Sequence, residues 1–339
     1  MIQNTAQVAK WPSFSLIIET ENLSSAELEG LGRSLDSLAA QTISPSTANE
    51  VLILESGDVP REMIKHLCFQ YPWLTVRAID AEMDYYAAKM RSVALTTGEV
   101  TVFADSDCIY ESDWLCNLLA PFAQEPDIQV VAGETTTSAN SPYGLGVSLT
   151  YIFPRWSGRR PLRPTSSYFF NNVAFRRQFL LEHPLPTNLT LYRGNCVIHA
   201  HTLKQQGIAI WRQPTARACH AAPNGGAHFF WRYVLLGYDG ILIDRLQRAN
   251  GQPDAYAIVR PIADLGACFK LALAKLVTVG IRCEQLLVEQ PSCIINLPLG
   301  SLVALASLLL FFAGLVIGYL RPDFFRTPAG RVEANWELS

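Results

Sequence analysis

Short apolar blocks alternate with stretches of helical period from residue 14 to residue 132. Residues 14–18, 50–54, 74–79 and 100–104 are mostly apolar runs closed by polar or turn-forming residues, the pattern of buried strands. Between them, 31–40, 61–71 and 85–95 carry apolar residues at helical spacing, and Gly98 ends the last. Residues 128–132 read as a fifth strand. This alternation predicts an α/β fold with a parallel, doubly wound sheet. From 138 to 186 the pattern is less regular, with many Ser, Pro and Arg. A helix over 196–206 then precedes two short strands, 209–211 and 216–219.

The C-terminal region changes character. No charged residue occurs between Glu289 and Arg321. A bilayer span needs about 20 apolar residues, and 297–320 is long enough. A transmembrane helix is therefore expected over 294–320, with a short polar tail over 321–339. Gly314 and Gly318 offer a small-residue packing face to another helix. In the preceding segment, 261–289, Lys275, Thr278, Arg282, Gln285 and Glu289 share one helical face, and Leu276, Val279, Cys283, Leu286 and Leu287 share the other. That amphipathicity suits a helix lying in the membrane interface, and equally one packed on a soluble domain. The expected organisation is one α/β domain over 12–250 followed by these segments.

Composition agrees with a membrane-associated portion: 49% of residues are hydrophobic and 17% charged. The net charge of −3 gives no reason to expect a nucleic-acid partner. The 8 cysteines are scattered, with no Cys-x-x-Cys, which fits reduced thiols in the cytosol. Residues 1–13 lack the apolar core of a signal peptide. A single-pass membrane protein with its large domain in the cytoplasm is the expectation.

The chemistry concentrates at Asp105-Ser106-Asp107, which closes the fourth strand. Carboxylates at i and i+2 on a strand end can bring their oxygens to one hard divalent cation, shared with substrate phosphates and water. Ligands of open α/β sheets also bind outside the carboxyl ends of the strands. No Gly-x-Gly-x-x-Gly follows the first strand, and no Gly-x4-Gly-Lys-Ser/Thr occurs, so dinucleotide and P-loop chemistry are set aside.

Further pieces surround that motif. Glu19-Thr20-Glu21-Asn22 follows the first strand, and Glu55 and Asp58 close the second. Lys89-Met-Arg-Ser-Val-Ala-Leu-Thr-Thr-Gly98 precedes the aspartates, and Trp114-Leu115 follows them. Asn171-Asn172-Val-Ala-Phe-Arg176-Arg177 and Gly207-Ile-Ala-Ile-Trp-Arg-Gln-Pro-Thr-Ala-Arg-Ala-Cys-His220 come later. In this order and spacing, the chain over roughly 12–250 resembles a family 2 glycosyltransferase with the GT-A fold.

The resemblance implies a nucleotide-sugar donor, taken as UDP-linked, bound by Glu19, Glu55, Asp58, Lys89, Asp105 and Arg193. It implies a divalent cation, Mn²⁺ or Mg²⁺, held by Asp107 directly, with Asp105 nearer the ribose or reaching the metal through water, and His220 completing the shell. Asn171, Asn172 and Arg176 would lie on the acceptor side, with Trp231 and Arg232 bordering the same pocket. The acceptor would be a membrane-associated lipid or a surface polysaccharide. The Gln-x-x-Arg-Trp of polymerising relatives is absent, so transfer of a single sugar, with inversion, is expected.

One feature of the family is missing. Where inverting members carry Glu-Asp, whose Asp takes the acceptor's proton, this chain has Asn195-Cys196. Three explanations stand open. A base comes from elsewhere, with Asp239 first, Glu134 second, and His199 and His201 as other candidates. Or the acceptor is already an anion, such as a lipid phosphate. Or the protein is an inactive GT-A module that binds nucleotide sugar or a partner enzyme at the membrane, a membrane scaffold using Gly314 and Gly318 being a further possibility.

Overall fold

The computed structural model describes residues 11–20, 28–55, 57, 59–80, 83–158, 161–189 and 191–326. The first half alternates as the hydrophobic pattern predicts: β1 (Phe14–Glu19), α1 (Leu28–Ala39), β2 (Glu50–Glu55), α2 (Arg61–Gln70), β3 (Leu74–Ala78), α3 (Tyr85–Val93) and β4 (Val100–Asp105). The strands run parallel in the order β3-β2-β1-β4. Strand alternation sends Leu16 and Ile18 into one core with Leu31, Leu35 and Leu38 of α1. It sends Ile17 into the opposite core with Tyr85 and Ala88 of α3.

Beyond β4 the sheet is mixed rather than parallel. The elements are β5 (Cys108–Tyr110), α4 (Trp114–Gln124), β6 (Val130–Thr137), α5 (Pro142–Thr150), β7 (Arg163–Thr165), β8 (Asn172–Arg176), α6 (Arg177–Glu182), α7 (Asn195–Gln205) and β9 (Ile210–His220). β8 enters antiparallel between β4 and β6. β9 runs parallel to β6 and pairs antiparallel with β5 and β7. The two short strands expected at 209–211 and 216–219 are one strand, β9. Its pairing with β6 shifts register between Ala132 and Glu134, and Pro214, which has no N–H to donate, falls in that shift. Gly133 sits at the same irregularity because a Cβ there would meet Ala216 O at 2.4 Å.

Three long helices complete the described chain: α8 (Gly225–Arg248), α9 (Pro261–Glu289) and α10 (Leu297–Leu320). The stretch Pro291–Leu320 is long and apolar enough to cross a membrane, and its most apolar window is only 33% buried, unlike a core helix. On the inner side α10 lies against α8 at backbone contact. A Cβ on Gly314 would meet Val234 O at 2.0 Å, and one on Gly237 would meet Phe311 O at 1.9 Å. The Gly314 and Gly318 face is thus filled by α8 of the same chain, which removes the scaffold role that face suggested.

The orientation of α9 is the second departure. Ile262, Phe269 and Val288 are 90%, 73% and 77% exposed, and Leu265, Leu273, Leu276, Val277 and Ile281 are exposed with them. Asp264 and Arg282 are buried. Of the polar stripe of α9, Lys275, Thr278 and Arg282 therefore face the protein while Gln285 and Glu289 are exposed, and an apolar stripe faces outward beside the exposed Leu299, Leu302, Leu305 and Leu309 of α10. Of the apolar positions expected to act together, Leu286 is buried in a cluster with Leu145 and Leu149 of α5, against which Val279, Cys283 and Leu287 pack, while Leu276 points out.

Candidate active site

The carboxyl end of β4 carries the two aspartates into different surroundings. Asp105 is nearly buried. Lys89 of α3, fully buried, forms an ion pair with its Oδ1. The Tyr85 hydroxyl donates to both carboxylate oxygens at 3.0 and 2.9 Å, and Lys89 Nζ donates in turn to the Tyr85 oxygen at 2.8 Å and to Phe170 O at 3.1 Å. Burial, with the Asp105 charge next, holds the Tyr85 hydroxyl well above the usual phenol range, so it remains a donor. The carboxylate is fixed by one cation and one hydroxyl before any ligand arrives.

Asp107 lies past the strand end, on the turn into β5. That strand pairs with β9 so that Cys108 stands opposite His220, and Ala221 N donates to Asp107 O at 2.9 Å. The pairing delivers the imidazole to the carboxylate: His220 Nε2 is 3.1 Å from Asp107 Oδ2. His220 Nδ1 lies 2.5 Å from Ala221 O and donates a hydrogen bond to it, so in the neutral imidazole Nε2 carries the lone pair. Two acceptors so close need a cation or a proton between them. Bonds of about 2.1–2.3 Å at right angles from one metal would set them about 3 Å apart, so the pair fits a divalent cation. Ligand atoms of Asp107, Cys108 and His220 all lie within 4.8 Å of one another. Burial pushes the Cys108 thiol well up, the two aspartates adding to it. Asp105, engaged with Lys89 and Tyr85, is not in this group.

Above the aspartates a cavity of about 480 Å³ runs from Asp105 and His220 to α8, α9 and α10. This is within the usual volume range of small-molecule sites. Arg193, Arg232, Lys275 and Arg282 contribute its cations, and Asp105 and Asp239 its carboxylates. Tyr192 packs against two of the cations, with the guanidinium carbons of Arg193 and Arg232 at 4.7 and 5.2 Å from its ring centre. Burial lowers His228, beside Arg232, to a pKa of about 3, and the charges of Arg232, His220 and Arg193 add to this.

The remaining expected residues fall into two groups. Asp239 is buried on α8 and lines the cavity, but both its oxygens accept main-chain bonds, from Tyr192 N at 3.1 Å and Arg193 N at 2.7 Å. Burial raises its pKa to about 7. Asn171 also lines the cavity and accepts from the Thr135 hydroxyl at 3.1 Å. Cys196 lines it as well, its thiol raised to about 11 by burial. Asn195 donates to Pro186 O at 2.7 Å.

Others stand apart. Glu134 is outside the cavity lining; its carboxylate accepts from Ser157 N at 3.0 Å and from the Ser157 hydroxyl. Asn172 ties strands together, accepting from Trp114 Nε1 at 2.7 Å and donating to Glu134 O at 2.8 Å. Arg176 is opposite Val100, at the far end of β4 from the aspartates, and bonds Ile128 O and Phe122 O; the antiparallel direction of β8 carries it away from the acceptor side. Trp231 packs edge-on against Phe325, 5.9 Å between centroids. Glu55 accepts from Gly57 N and Val59 N, closing its own turn. Glu19 is buried beside Asp105 in the β1–β4 register. His199 is a core residue, bonded to Tyr168 and His183 O, and burial lowers it to about 4. His201 points to Gln205 on the opposite side of α7. Asp58, Glu21 and Asn22 lie outside the described residues.

Cys108, Tyr85, Lys275 and Arg282 are site residues the sequence reading did not assign. The cations on α9 had a signal in retrospect: charges recurring at 275 and 282 on one face of a helix whose other side is apolar.

Comparison with known proteins agrees with this arrangement. Residues 23–183 match the model of glycosyl transferase family 2. The matched segment contains β2 to β8 and both aspartates. A stretch of 106 residues, 31% of this chain, is 28% identical to glycosyltransferase AglE of Haloferax volcanii, and it spans 33% of that protein's length. Among solved structures, mannosyltransferase PcManGT of Pyrobaculum calidifontis, in complex with GDP-Man and Mn²⁺, superposes with a TM-score of 0.55 at 16% identity, over 93% of this chain and 88% of that one. GalNAc-T7 with UDP, GalNAc and Mn²⁺ superposes with a TM-score of 0.51 at 12% identity, over 62% of this chain and 43% of that one. The fold is GT-A, followed by a C-terminal apolar helix.

Proposed function

We propose that this protein is a metal-dependent glycosyltransferase. It would move a single sugar, with inversion, from a nucleotide-sugar donor to an acceptor at the membrane. The observation that carries this reading is the Asp107–His220 pair, two acceptor atoms 3.1 Å apart at the edge of the cavity. Asp107 and His220 would hold Mn²⁺ or Mg²⁺, which when bound neutralises the charge that develops on the leaving diphosphate. Mn²⁺ is present in both structural neighbours, with UDP in one and GDP-Man in the other.

This chain's own side chains prepare the site. Lys89 and Tyr85 hold Asp105 in one orientation facing the donor space. Asp239 acts as a positioning residue: its two main-chain bonds hold the 192–193 backbone, and with it the Tyr192 ring on which the cavity-lining guanidiniums of Arg193 and Arg232 pack, cations suited to the diphosphate. The exposed apolar stripes of α9 and α10 support a membrane anchor; the large domain would lie in the cytoplasm.

The test is a panel of UDP- and GDP-linked sugars offered with Mn²⁺ to the full-length protein in detergent. Metal-dependent donor hydrolysis or transfer supports the reading. Donor binding without any turnover supports the inactive-module alternative, which the Asn195–Cys196 pair favours.

A further inference from the structure

Resting on the transferase reading, we propose that the acceptor is a lipid phosphomonoester, its phosphate held by Lys275 and Arg282 and its chain leaving the cavity past α9 into the bilayer. The two cations sit on the inward stripe of a helix whose outward stripe is apolar. Arg282 donates to main-chain oxygens, closest to Tyr151 O at 2.6 Å, and the Lys275 ammonium stands 4.8 Å from the Phe311 ring centre. Among the described residues neither meets a carboxylate at ion-pair distance. Both cavity carboxylates are already bonded, Asp105 to Lys89 and Tyr85, and Asp239 to two main-chain N–H groups. Among the described residues the membrane end of the cavity thus holds no counter-ion for Arg282 and Lys275, and burial, with the Arg282 charge next, lowers the pKa of the Lys275 ammonium to about 7, so a bound anion would favour its charged form.

Tyr151 links that end to the metal pair. Tyr151, whose carbonyl binds Arg282, has its ring 6.0 Å from the His220 ring. Leu236, Ile243, Leu271 and Phe311 give the cavity an apolar wall, and Ala274 both lines it and is exposed, which marks an opening on the outer face of α9. A ligand with an anionic head and an apolar tail matches both halves.

The chemistry answers the missing base. A hydroxyl acceptor must lose a proton, and position 196 offers a buried neutral thiol. A phosphomonoester has its second pKa near about 6 and reaches the site largely as a dianion. One of its oxygens attacks the anomeric carbon, and a new C–O bond forms. The bond from that carbon to the donor's diphosphate oxygen breaks, and the nucleoside diphosphate leaves with the electron pair. No proton is transferred, and the products are a sugar-phospho-lipid and the nucleoside diphosphate.

The experiment uses the full-length protein in nanodiscs with the donor selected by the panel above. Isoprenyl and long-chain alkyl monophosphates are each compared with their own alcohols. Transfer to phosphates at least ten times faster than to alcohols is expected. Lys275→Met, which breaks no hydrogen bond within the protein, should raise the acceptor KM about 10- to 100-fold, leave the donor Kd within twofold, and be rescued by Lys275→Arg. Arg282→Lys should shift the same KM in the same direction. Equal or faster transfer to alcohols, or a Lys275→Met variant with unchanged acceptor KM, overturns the proposal while the transferase reading stands. A wild-type protein that binds no nucleotide sugar overturns that reading, and the proposal falls with it.

Discussion

The parallel half of the sheet and the three C-terminal helices obey one rule with opposite sign. In β1–β4 apolar residues point into two cores, and charged groups lie at strand ends or are tied down, as Lys89 is by Asp105. In α9 Asp264 and Arg282 are buried, Ile262, Phe269 and Val288 face out, and Lys270, Glu284 and Glu289 are the charged residues left exposed. Each side chain sits on the side whose polarity suits it, so the inversion reports what surrounds each region: water around the first, hydrocarbon or its interface along the second. The cavity spans the boundary, with His220 of the metal pair at one end and Lys275 and Arg282 of α9 at the other.

The largest effect that would break this picture is steric. Gly314→Val puts side-chain atoms into the main chain of α8, where no flexible neighbour can yield, and should cost more than about 3 kcal/mol. Loss of the folded protein from detergent extracts, followed by size-exclusion chromatography, is the expected result. A fully folded variant would mean that α10 does not pack on α8.

Lys89→Met tests the other half. It leaves the Asp105 carboxylate buried with only Tyr85 as partner, and breaking a buried pair this way costs about 3–5 kcal/mol. Chemical denaturation should report it as a lower midpoint; an unchanged midpoint would deny the buried pair.

Asp239 gives a pH-dependent comparison between the halves. Its folded pKa, about 7, lies above the ordinary 3.8, so folding favours the protonated form. Its contribution is complete below pH about 4 and is lost as pH rises through about 7, on the order of 4 kcal/mol between the limits. Asp239→Asn has no such slope, so the melting temperature of the variant relative to wild type should climb from pH 4 to 7 and level off above. A flat difference would mean that the carboxyl is not buried.

The smallest effect on stability is on the outer face of α9. Phe269→Trp should change stability in detergent by no more than about 0.5 kcal/mol, and in nanodiscs it should add fluorescence that brominated acyl chains quench. Added fluorescence that those chains leave unquenched would make that face an ordinary water-facing surface.

What could be read from the sequence divides along the same line. The strands of β1–β4 are local apolar runs, and Asp105 and Asp107 are adjacent to one of them, so both were legible. The partnership of Asp107 with His220 depends on β5 pairing with β9, a long-range register that no local pattern encodes; only family resemblance pointed to it. Arg176 was misplaced because an antiparallel β8 reverses which end of the strand meets the site. β9 was split because Pro214 and the register shift interrupt its pattern. Amphipathicity revealed two faces on α9 but not their direction, since that requires knowing what lies on each side.

The central claim is a divalent cation site at Asp107 and His220 that binds the donor's diphosphate. Calorimetric titration of the full-length protein with its nucleotide sugar, with Mn²⁺ or with EDTA, tests it most directly, alongside Asp107→Ala. Binding that requires Mn²⁺ and disappears in Asp107→Ala, with melting behaviour retained, is the predicted result. Donor affinity that is the same in EDTA, or unchanged in Asp107→Ala, would contradict it.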